Sequence, residues 1–541
     1  MTTDPSRRAM LGRLCTNAAV TAVRKMKKLQ RLDTEMPFTS SNSVPENVAR
    51  PPYLGGRSTF DFSSPQVVEN LIKIRGQKQL EYVGTATSHF QAEPLLYDER
   101  GQPLVFTDWE LELTRRLKGK PCGIPQADTA SLPRFLHYKD SYIRRSGELS
   151  ENMFRFSLDF GRLCPELGQF NEKLMEEYIQ TMALIRACGQ EPFITLHHFT
   201  MPRCLTAIDR KGNISAGGWE NPKVSQHFRF YVQNVFRLLA DRTKLRGMLA
   251  GLSIGMDETE RILSDGIARY FMTINEPSAI LYNGYFSGIF PPYKRASLLL
   301  AREILAKLVE AHDIALGEIK HTLREQTREP FVGIGHSWPY FEGFLGSIAQ
   351  EFQDNWTSSF ERNGAYSDYI GVHYYFRRKI PLSSSERSQR DFSDQPTFGD
   401  VYPRGILDVI RQAHSKYPRK ELFVSEIGFS DRSDLRRPYW ILETMRYIYE
   451  AASSGIPIKG VLLWSLVNNF EWDLGMSQKF GLFSEAELTR PLNASPKGIR
   501  SWEAWHAATR AIISPSTQSL RELQGCYENA YAQYKGVGGK Y

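Results

Sequence analysis

The sequence predicts one α/β domain folded as a (β/α)8 (TIM) barrel, and three observations carry this prediction. From about residue 78, short apolar runs typical of buried strands alternate with longer stretches of helical periodicity. No change of composition inside this region marks a domain boundary. Two of the runs end in a glutamate followed by a breaker: Glu276 precedes Pro277, and Glu426 stands two residues before Gly428. Because a carboxylate at the end of a buried strand is costly unless it has a partner or a role, the two runs indicate strand ends that face one pocket.

The strand candidates are eight runs rich in β-branched and aromatic residues. They span residues 81–86, 153–158, 192–197, 270–274, 331–335, 368–373, 421–425 and 460–464. Helical stretches separate them, and in Asn171–Cys188 the apolar residues recur on one helical face. An open doubly wound sheet is the alternative, but no glycine-rich phosphate loop follows the first strand to support it.

Segments outside the regular alternation define the domain organisation. Residues 1–75 are interpreted as a basic N-terminal extension and linker, and residues 76–512 as the barrel domain. An insertion at about 245–268 contains a helical stretch, and we expect it at the N-terminal side of the barrel in a structural or partner-facing role. Residues 513–541 form a polar, tyrosine-rich tail in which we expect one short helix.

The charge distribution excludes some classes of partner. The formal net charge is +8, and the first 50 residues hold nine Lys or Arg against four acids, so the rest of the chain is close to balanced. This balance argues against nucleic acid as a partner. Residues 7–31 combine basic residues with apolar ones at helical spacing, which suits peripheral contact with an anionic membrane; a solvated helix or a disordered segment is the alternative.

Cysteine spacing and hydropathy limit the location and the metal chemistry. The six cysteines show no CxxC spacing, which predicts reduced thiols and no zinc site. No apolar run approaches the ~18 residues that a membrane-spanning helix needs. We therefore expect a cytoplasmic protein, with peripheral membrane association as an option.

Polar and aromatic side chains recur where the predicted strands end. Because the C-terminal ends of barrel strands converge on one mouth, these side chains should lie together. Amides, imidazoles, indoles and carboxylates suit the hydroxyls and C–H faces of a carbohydrate. Adjacent His197 and His198 are a poor metal pair, because neighbouring strand residues point to opposite faces. The candidates are Gln91, Arg155, His198, Asn275, Glu276, Tyr375, Glu426, Trp464, Glu471 and Trp472.

The order of these motifs resembles that of family 1 glycoside hydrolases, the β-glucosidase/β-galactosidase family, over roughly residues 78–510. Any one motif is weak, but eight or more in the correct order leave little room for chance. The placement of the fifth strand candidate, 331–335, rests partly on this resemblance. The matching motifs are Gly84-Thr85-Ala86-Thr87-Ser88 with Gln91, Phe154-Arg155-Phe156-Ser157 with Arg162, Gly217-Gly218-Trp219, Thr273-Ile274-Asn275-Glu276-Pro277, Ile370-Gly371-Val372-His373-Tyr374-Tyr375, Tyr402-Pro403 with Gly405, Glu426 with Gly428, Trp464-Ser465-Leu466, Asn469-Phe470-Glu471-Trp472 and Phe480-Gly481-Leu482.

The resemblance implies a role for each candidate and needs no cofactor or metal. Glu276 corresponds to the acid/base and Glu426 to the nucleophile of a retaining enzyme, and Asn275 would hold the sugar 2-hydroxyl. Arg155 and Tyr375 would hydrogen-bond the nucleophile. The implied glycone pocket is lined by Gln91, His198, Tyr375, Trp464, Glu471 and Trp472.

Electrostatics predicts how the two carboxyl groups divide the chemistry. A separation of ~5–5.5 Å, as expected for retention, gives a repulsion of about 3 kcal/mol at an effective dielectric of ~20, or roughly two pKa units. The two groups therefore resist ionising together. Glu426, beside Arg155, should hold the charge and Glu276 the proton.

The sequence predicts a retaining β-glycosidase that hydrolyses a terminal β-linked neutral hexose, glucose or galactose. Glu471-Trp472 supports a neutral sugar, because a glutamate there would repel the phosphate of a 6-phosphosugar. A transglycosylase using the same carboxylates is the alternative, since Asp434–Tyr439 resembles the plant galactolipid galactosyltransferase branch. An inactive sugar-binding protein is a third reading, which the intact carboxylates oppose. Departures from the family pattern are Phe199 for Trp, His373 for Asn, Ile427 for Asn and Asn468 for Asp.

Overall fold

Eight parallel strands close into a barrel in the computed structural model, which confirms the predicted (β/α)8 fold. It describes residues 64–120, 132–252, 254–295, 298–342, 344–361, 367–379, 401–494 and 498–538. Each strand pairs with its neighbours in sequence, and the last strand pairs with the first to close the barrel. The strands are β1 Tyr82–Ala86, β2 Met153–Ser157, β3 Glu191–His197, β4 Tyr270–Asn275, β5 Phe331–Ser337, β6 Tyr369–Tyr374, β7 Glu421–Ile427 and β8 Ile458–Trp464.

Helices connect the strands and cover the barrel. Two small sheets lie outside it: Thr206–Ile208 pairs antiparallel with Ile214–Gly217, and Tyr340–Glu342 pairs parallel with Arg377–Lys379. The α-helices are Pro65–Gly76, His89–Ala92, Asp108–Leu117, Phe135–Glu148, Phe160–Leu163, Glu172–Ala187, Val224–Ala240, Arg242–Ala250, Met256–Asp265, Pro277–Ala279, Leu298–Thr322, Phe344–Thr357, Gly405–Lys416, Arg437–Ser453, Ser501–Ile513 and Thr517–Gly538.

An aromatic cluster fills the barrel interior below the site. The Phe193 ring lies 5.1 Å from Phe423 and 5.9 Å from Tyr369, centroid to centroid, and all three side chains are fully buried. At Gly333 a Cβ would come within 2.6 Å of the Tyr369 ring, so the glycine leaves space for this packing. The Arg155 guanidinium lies 5.7 Å above the Phe193 ring. The cluster therefore packs the barrel interior beneath the C-terminal ends of the strands.

Two predicted segments differ in structure from their expectation. The last residues of the predicted linker form the helix Pro65–Gly76, whose Val67, Leu71 and Ile74 are buried. The linker interpretation is therefore wrong for this part, because an apolar face at helical spacing is packed against the domain. The tail, expected to hold one short helix, forms the 22-residue helix Thr517–Gly538.

The insertion lies beside the N-terminal ends of the strands. It comprises the helices Arg242–Ala250 and Met256–Asp265, which precede β4. Glu258 approaches Arg186 at 3.7 Å, and Arg186 pairs at 3.0 Å with Glu191, the first residue of β3. The insertion is thus far from the strand ends that carry the candidate site.

Residues 7–31, for which membrane contact was considered, lie outside the described residues. Within the described part of the chain, no helix has both the length and the apolar character that crossing a membrane requires.

Candidate active site

The structure brings Glu276 and Glu426 together at the C-terminal ends of β4 and β7. Glu276 follows β4 with a left-handed backbone (φ 44°), after which Pro277 begins a short helix. One oxygen of each carboxyl group and Nδ1 of His373 all lie within 4.8 Å of one another. This upper limit on the distance between the nearest oxygens is compatible with the ~5–5.5 Å between the carboxyl groups of retaining glycosidases, and it lies below the ~6.5–9.5 Å of inverting ones.

An irregularity in β7 turns two consecutive side chains toward the site. The register against β6 and against β8 shifts between Val424 and the residues after it. In a regular strand, neighbouring side chains face opposite sides, and a bulge relaxes this alternation. As a result Glu426 contacts Arg155, while the hydroxyl of Ser425 contacts His373.

Arg155 is a buried guanidinium whose partners tie three strands to the nucleophile candidate. Its Nη1 donates to Glu426 Oε1 at 2.6 Å, and its Nη2 donates to Asn275 Oδ1 at 2.5 Å. Its Nε donates to Thr195 Oγ1 at 2.8 Å. The hydroxyl of Tyr375 donates to Glu426 Oε2 at 2.6 Å. Both oxygens of Glu426 therefore accept a strong hydrogen bond, one of them from a cation.

The two carboxyl groups have different electrostatic surroundings. Burial, followed by the charge of Glu426, holds the pKa of Glu276 well above its ordinary value. Burial also raises the pKa of Glu426, but Arg155 and the Tyr375 hydroxyl oppose that rise. When one proton is shared between the pair, it resides on Glu276 and the negative charge on Glu426.

His373 lies between the two carboxyl groups, and the sequence identified it only as a departure from the family pattern. Its Nδ1 is 2.9 Å from Glu276 Oε1 and 3.6 Å from Glu426 Oε2, and its Nε2 is 2.9 Å from Ser425 Oγ. Burial, together with the charge of Arg155, lowers the pKa of His373 well below its ordinary range. The imidazole is therefore neutral, and its contact with Glu276 is a hydrogen bond rather than an ion pair. An imidazole replacing the usual amide beside two tyrosines was the available signal.

The remaining candidates are joined by hydrogen bonds and ring contacts. Gln91 Nε2 donates to Glu471 Oε2 at 3.1 Å, and Asn275 Nδ2 lies 3.2 Å from His198 Nε2. The His198 ring stacks against Trp464 at 5.8 Å and against Trp472 at 6.0 Å. Asn275 thus links His198, and through it Trp464 and Trp472, to Arg155, while Gln91 and Glu471 form a second hydrogen-bonded pair.

Phe199, which the sequence marks as a departure from tryptophan, follows His198. Its ring lies 4.9 Å from Trp472 and 5.8 Å from Phe290. Trp472 also stacks on Phe90 at 5.5 Å. The rings of Phe90, Phe199, Phe290 and Trp472 are therefore closely packed, although phenylalanine replaces tryptophan at position 199.

Glu471 does not carry the charge that the argument against phosphosugars assumed. Burial raises the pKa of Glu471 to about 8, with the charge of Asp473 adding to the rise and Gln91 opposing it. At pH 7 the carboxyl group is mostly protonated, so charge repulsion is the wrong reason to exclude a phosphate. A protonated acid facing an amide can instead donate to and accept from sugar hydroxyls.

The same geometry bears on metal binding. Among the described residues, Glu276, His373 and Glu426 form a group whose donor atoms are close enough to share a cation. The Arg155 guanidinium already supplies positive charge 2.6 Å from Glu426 and would repel a metal ion. His197 points elsewhere: its ring packs 5.2 Å from Trp219, so the two adjacent histidines do not converge. These contacts favour acid–base chemistry over metal chemistry.

Similar proteins were found at both the sequence and the structural level. Coniferin β-glucosidase of Pinus contorta is 23% identical over 482 residues, covering 74% of this chain and 86% of the relative. A β-galactosidase of Sulfolobus acidocaldarius is 26% identical over 371 residues, covering 61% and 69%. The structure of a β-glycosidase from Pyrococcus horikoshii matches with a TM-score of 0.61 at 22% identity, covering 83% of this chain and 97% of the other. That likeness supports the barrel fold.

The family model "Glycosyl hydrolase family 1" matches residues 81–249 and 382–497. The match includes β1 to β3, β7 and β8, with Glu426, and leaves out the segment that carries Glu276. The matched residues make up more than half of the chain. The chain therefore belongs to glycosyl hydrolase family 1 and is a glycoside hydrolase.

Proposed function

We propose that the protein is a retaining β-glycosidase that releases a terminal β-linked neutral hexose, glucose or galactose, by double displacement. The observation that carries the proposal is the pair Glu276 and Glu426, which lie close together and have different hydrogen-bond partners. Its spacing supports retention, and its unequal partners support one acid and one nucleophile.

The first step transfers the glycosyl group to the protein. The ionised Glu426 attacks the anomeric carbon, and the bond from that carbon to the glycosidic oxygen breaks. Glu276 gives its proton to the departing oxygen, so the aglycone leaves as an alcohol. The products are a glycosyl ester on Glu426 and an ionised Glu276. Arg155 and Tyr375 hold the nucleophile in position before the attack.

The second step returns both groups to their starting states. Glycosylation removes the charge of Glu426, which lowers the pKa of Glu276 and lets it act as a base. Water attacks the anomeric carbon and gives a proton to Glu276, while Glu426 leaves as a carboxylate. The sum is the glycoside plus water giving the free sugar plus the alcohol, with retained configuration.

The pocket wall supports a neutral hexose as the glycone. Gln91, His198, Asn275 and Glu471 supply bidentate donors and acceptors for hydroxyl groups. Trp464 offers an aromatic surface for the C–H face of the ring. Two of the similar proteins are named as a β-glucosidase and a β-galactosidase, and both activities belong to the proposal for this chain.

Transfer to a sugar or lipid acceptor in place of water uses the same two carboxylates. The segment that suggested it has structural contacts instead. Asp434 accepts from Arg437 at 2.8 Å and from Arg500 at 3.1 Å, and it also bonds the hydroxyl of Ser501. This network joins the helices Arg437–Ser453 and Ser501–Ile513 and gives no support for transfer. Hydrolysis therefore ranks first.

Aryl glycosides and a trapping reagent test the proposal. We expect turnover of p-nitrophenyl β-glucoside or β-galactoside, and 2-fluoro-glycoside labelling that mass spectrometry maps to Glu426. Glu426→Ala should lose turnover and labelling. Glu276→Ala should regain turnover of a 2,4-dinitrophenyl glycoside when azide is added, because azide needs no general base. The proposal fails if the wild-type protein neither turns over an aryl glycoside nor labels at Glu426. Products formed with and without a lipid or sugar acceptor separate hydrolysis from transfer.

A further inference from the structure

His373 is the group between the two carboxyls to which the proposed mechanism assigns no task. Its side chain is buried, with 1% of the residue exposed. Both ring nitrogens have hydrogen-bond partners, Glu276 on one side and Ser425 on the other. Buried histidines elsewhere vary in this respect: neither ring nitrogen of His336, on β5, has a hydrogen-bond partner, whereas His312 bonds Thr273 and Ser367. What distinguishes His373 is that one of its partners is the candidate acid/base Glu276.

Burial, aided by the positive charge of Arg155, keeps the imidazole neutral. Glu276 and Glu426 face Nδ1, and Arg155, His198 and His336 each oppose its protonation. Tyr375, the residue two positions further along the chain, faces Glu426. Since burial is the largest effect on the ring, the neutral form persists at physiological pH. A neutral imidazole carries one N–H, so its location decides what the ring can do.

Only one of the two neutral tautomers suits both chemical steps. If Nδ1 carries the hydrogen, it donates to Glu276 Oε1, and the acid proton of Glu276 resides on Oε2. The Ser425 hydroxyl then donates to Nε2. In the other tautomer, the lone pair of Nδ1 would draw the acid proton away from the leaving group and later face an ionised carboxylate. The Nδ1–H form neither competes for the acid proton nor places a lone pair against the ionised carboxylate.

Two glycines leave the space that the imidazole and its Ser425 partner occupy. A Cβ at Gly335 of β5 would lie 2.7 Å from His373 Nε2, and a Cβ at Gly371 of β6 would lie 2.7 Å from Ser425 Oγ. Both approaches are too close for any larger residue without a shift of the ring or the hydroxyl. The ring is thus locked by its neighbours as well as by its hydrogen bonds.

We propose that His373 is a positioning residue for Glu276. As the Nδ1–H tautomer set by Ser425, it fixes Oε1, keeps the acid proton on Oε2 toward the leaving group, and stabilises the carboxylate that forms when that proton has gone. The inference rests on the proposed function, because it takes Glu276 as the acid/base. His373 itself transfers no proton.

Leaving-group dependence separates this role from a merely structural one. A 2,4-dinitrophenolate leaves without protonation, whereas phenol needs the acid. In His373→Ala we expect kcat/KM for the phenyl glycoside to fall about 100-fold, the scale of a misplaced catalytic group, and for the dinitrophenyl glycoside by less than about 5-fold. The basic limb of the pH profile should move to higher pH, because a lost N–H donor no longer favours the ionised Glu276.

Matched variants keep the test decisive. His336→Ala removes an equally buried imidazole without partners, and it should change both substrates by the same factor. His373→Asn restores an N–H donor and should recover much of the phenyl glycoside activity. Ser425→Ala should have a kcat/KM for the phenyl glycoside between those of the wild-type protein and His373→Ala. Should His373→Ala not fold, the asparagine and Ser425 variants carry the same comparison.

The result that overturns the inference is an equal loss on both substrates with an unchanged pH profile. That outcome is distinct from failure of the proposed function, in which the wild-type protein itself turns over no glycoside and does not label at Glu426.

Discussion

Replacing Glu426 by glutamine tests the electrostatic core of the proposal. The Glu426→Gln substitution keeps the size of the side chain and removes its negative charge. If Glu276 is held protonated partly by that charge, its pKa must fall in the variant. The same fall is what the second chemical step requires when Glu426 becomes an ester.

The structure sets the size of the effect. A carboxyl oxygen of Glu276 lies within 4.8 Å of one of Glu426. At an effective dielectric of ~20, two unit charges at this distance repel by about 3 kcal/mol, which corresponds to roughly two pKa units. Arg155, no longer neutralised by Glu426, lowers the pKa of Glu276 further. We therefore expect a fall of at least roughly two units.

Carboxyl carbon NMR of protein labelled with [5-13C]glutamate measures this pKa directly. The resonance of Glu276 is identified by its loss in Glu276→Gln. Glu471→Gln is the control, since Glu471 acts on Glu276 more weakly than Glu426 does, and it should lower the pKa by less than about one unit. A fall of under half a unit in Glu426→Gln would refute the reasoning, because the two groups would then not share a pocket that strengthens their repulsion.

Further variants test the surrounding contacts. Arg155→Met should raise the pKa of Glu426, move the acidic limb of kcat/KM to higher pH, and lower the rate at pH 7 about 100-fold or more, since the nucleophile loses its guanidinium. Gly335→Ala should displace the His373 ring, lower the phenyl glycoside rate more than the dinitrophenyl rate, and cost about 1–3 kcal/mol of unfolding free energy by overpacking. Burial raises the pKa of Glu471 from 4.5 to about 8. Glu471 should therefore contribute a loss of stability as pH rises from about 4.5 to 8, by an upper bound of about 5 kcal/mol, and Glu471→Gln should lose less stability than the wild-type protein over this range in chemical denaturation.

Each of these expectations has a contradicting result. An unchanged acidic limb in Arg155→Met would mean that other groups keep Glu426 ionised. Equal losses on both glycosides in Gly335→Ala would point to general damage of the barrel. Parallel stability profiles of the wild-type protein and Glu471→Gln between pH 5 and 8 would mean that Glu471 is not protonated in the folded state.

Local patterns were sufficient for seven of the barrel strands, and the fifth, 331–335, was placed partly by the family resemblance. Apolar runs such as 421–425 encode strand propensity and burial within a few residues, and all eight candidate runs overlap barrel strands. The tail shows the limit of this reasoning, since its polar and tyrosine-rich composition indicated one short helix. The helix Thr517–Gly538 is long because Tyr527 and its neighbours pack on the helix Arg437–Ser453, with the Tyr527 hydroxyl 2.7 Å from Glu443.

The sequence by itself determined which residue types stand at the strand ends, including Glu276, Glu426 and Arg155. These are properties of the residues and their immediate neighbours. The family resemblance implied that Arg155 pairs with Glu426, and only the tertiary structure gave the distances and the further contacts of these groups. Arg155 and Glu426 are 271 residues apart in the chain and 2.6 Å apart in space, and the shift of register in β7 turns Ser425 toward His373. Protonation states follow from burial and distance, which chain folding sets and no local pattern contains.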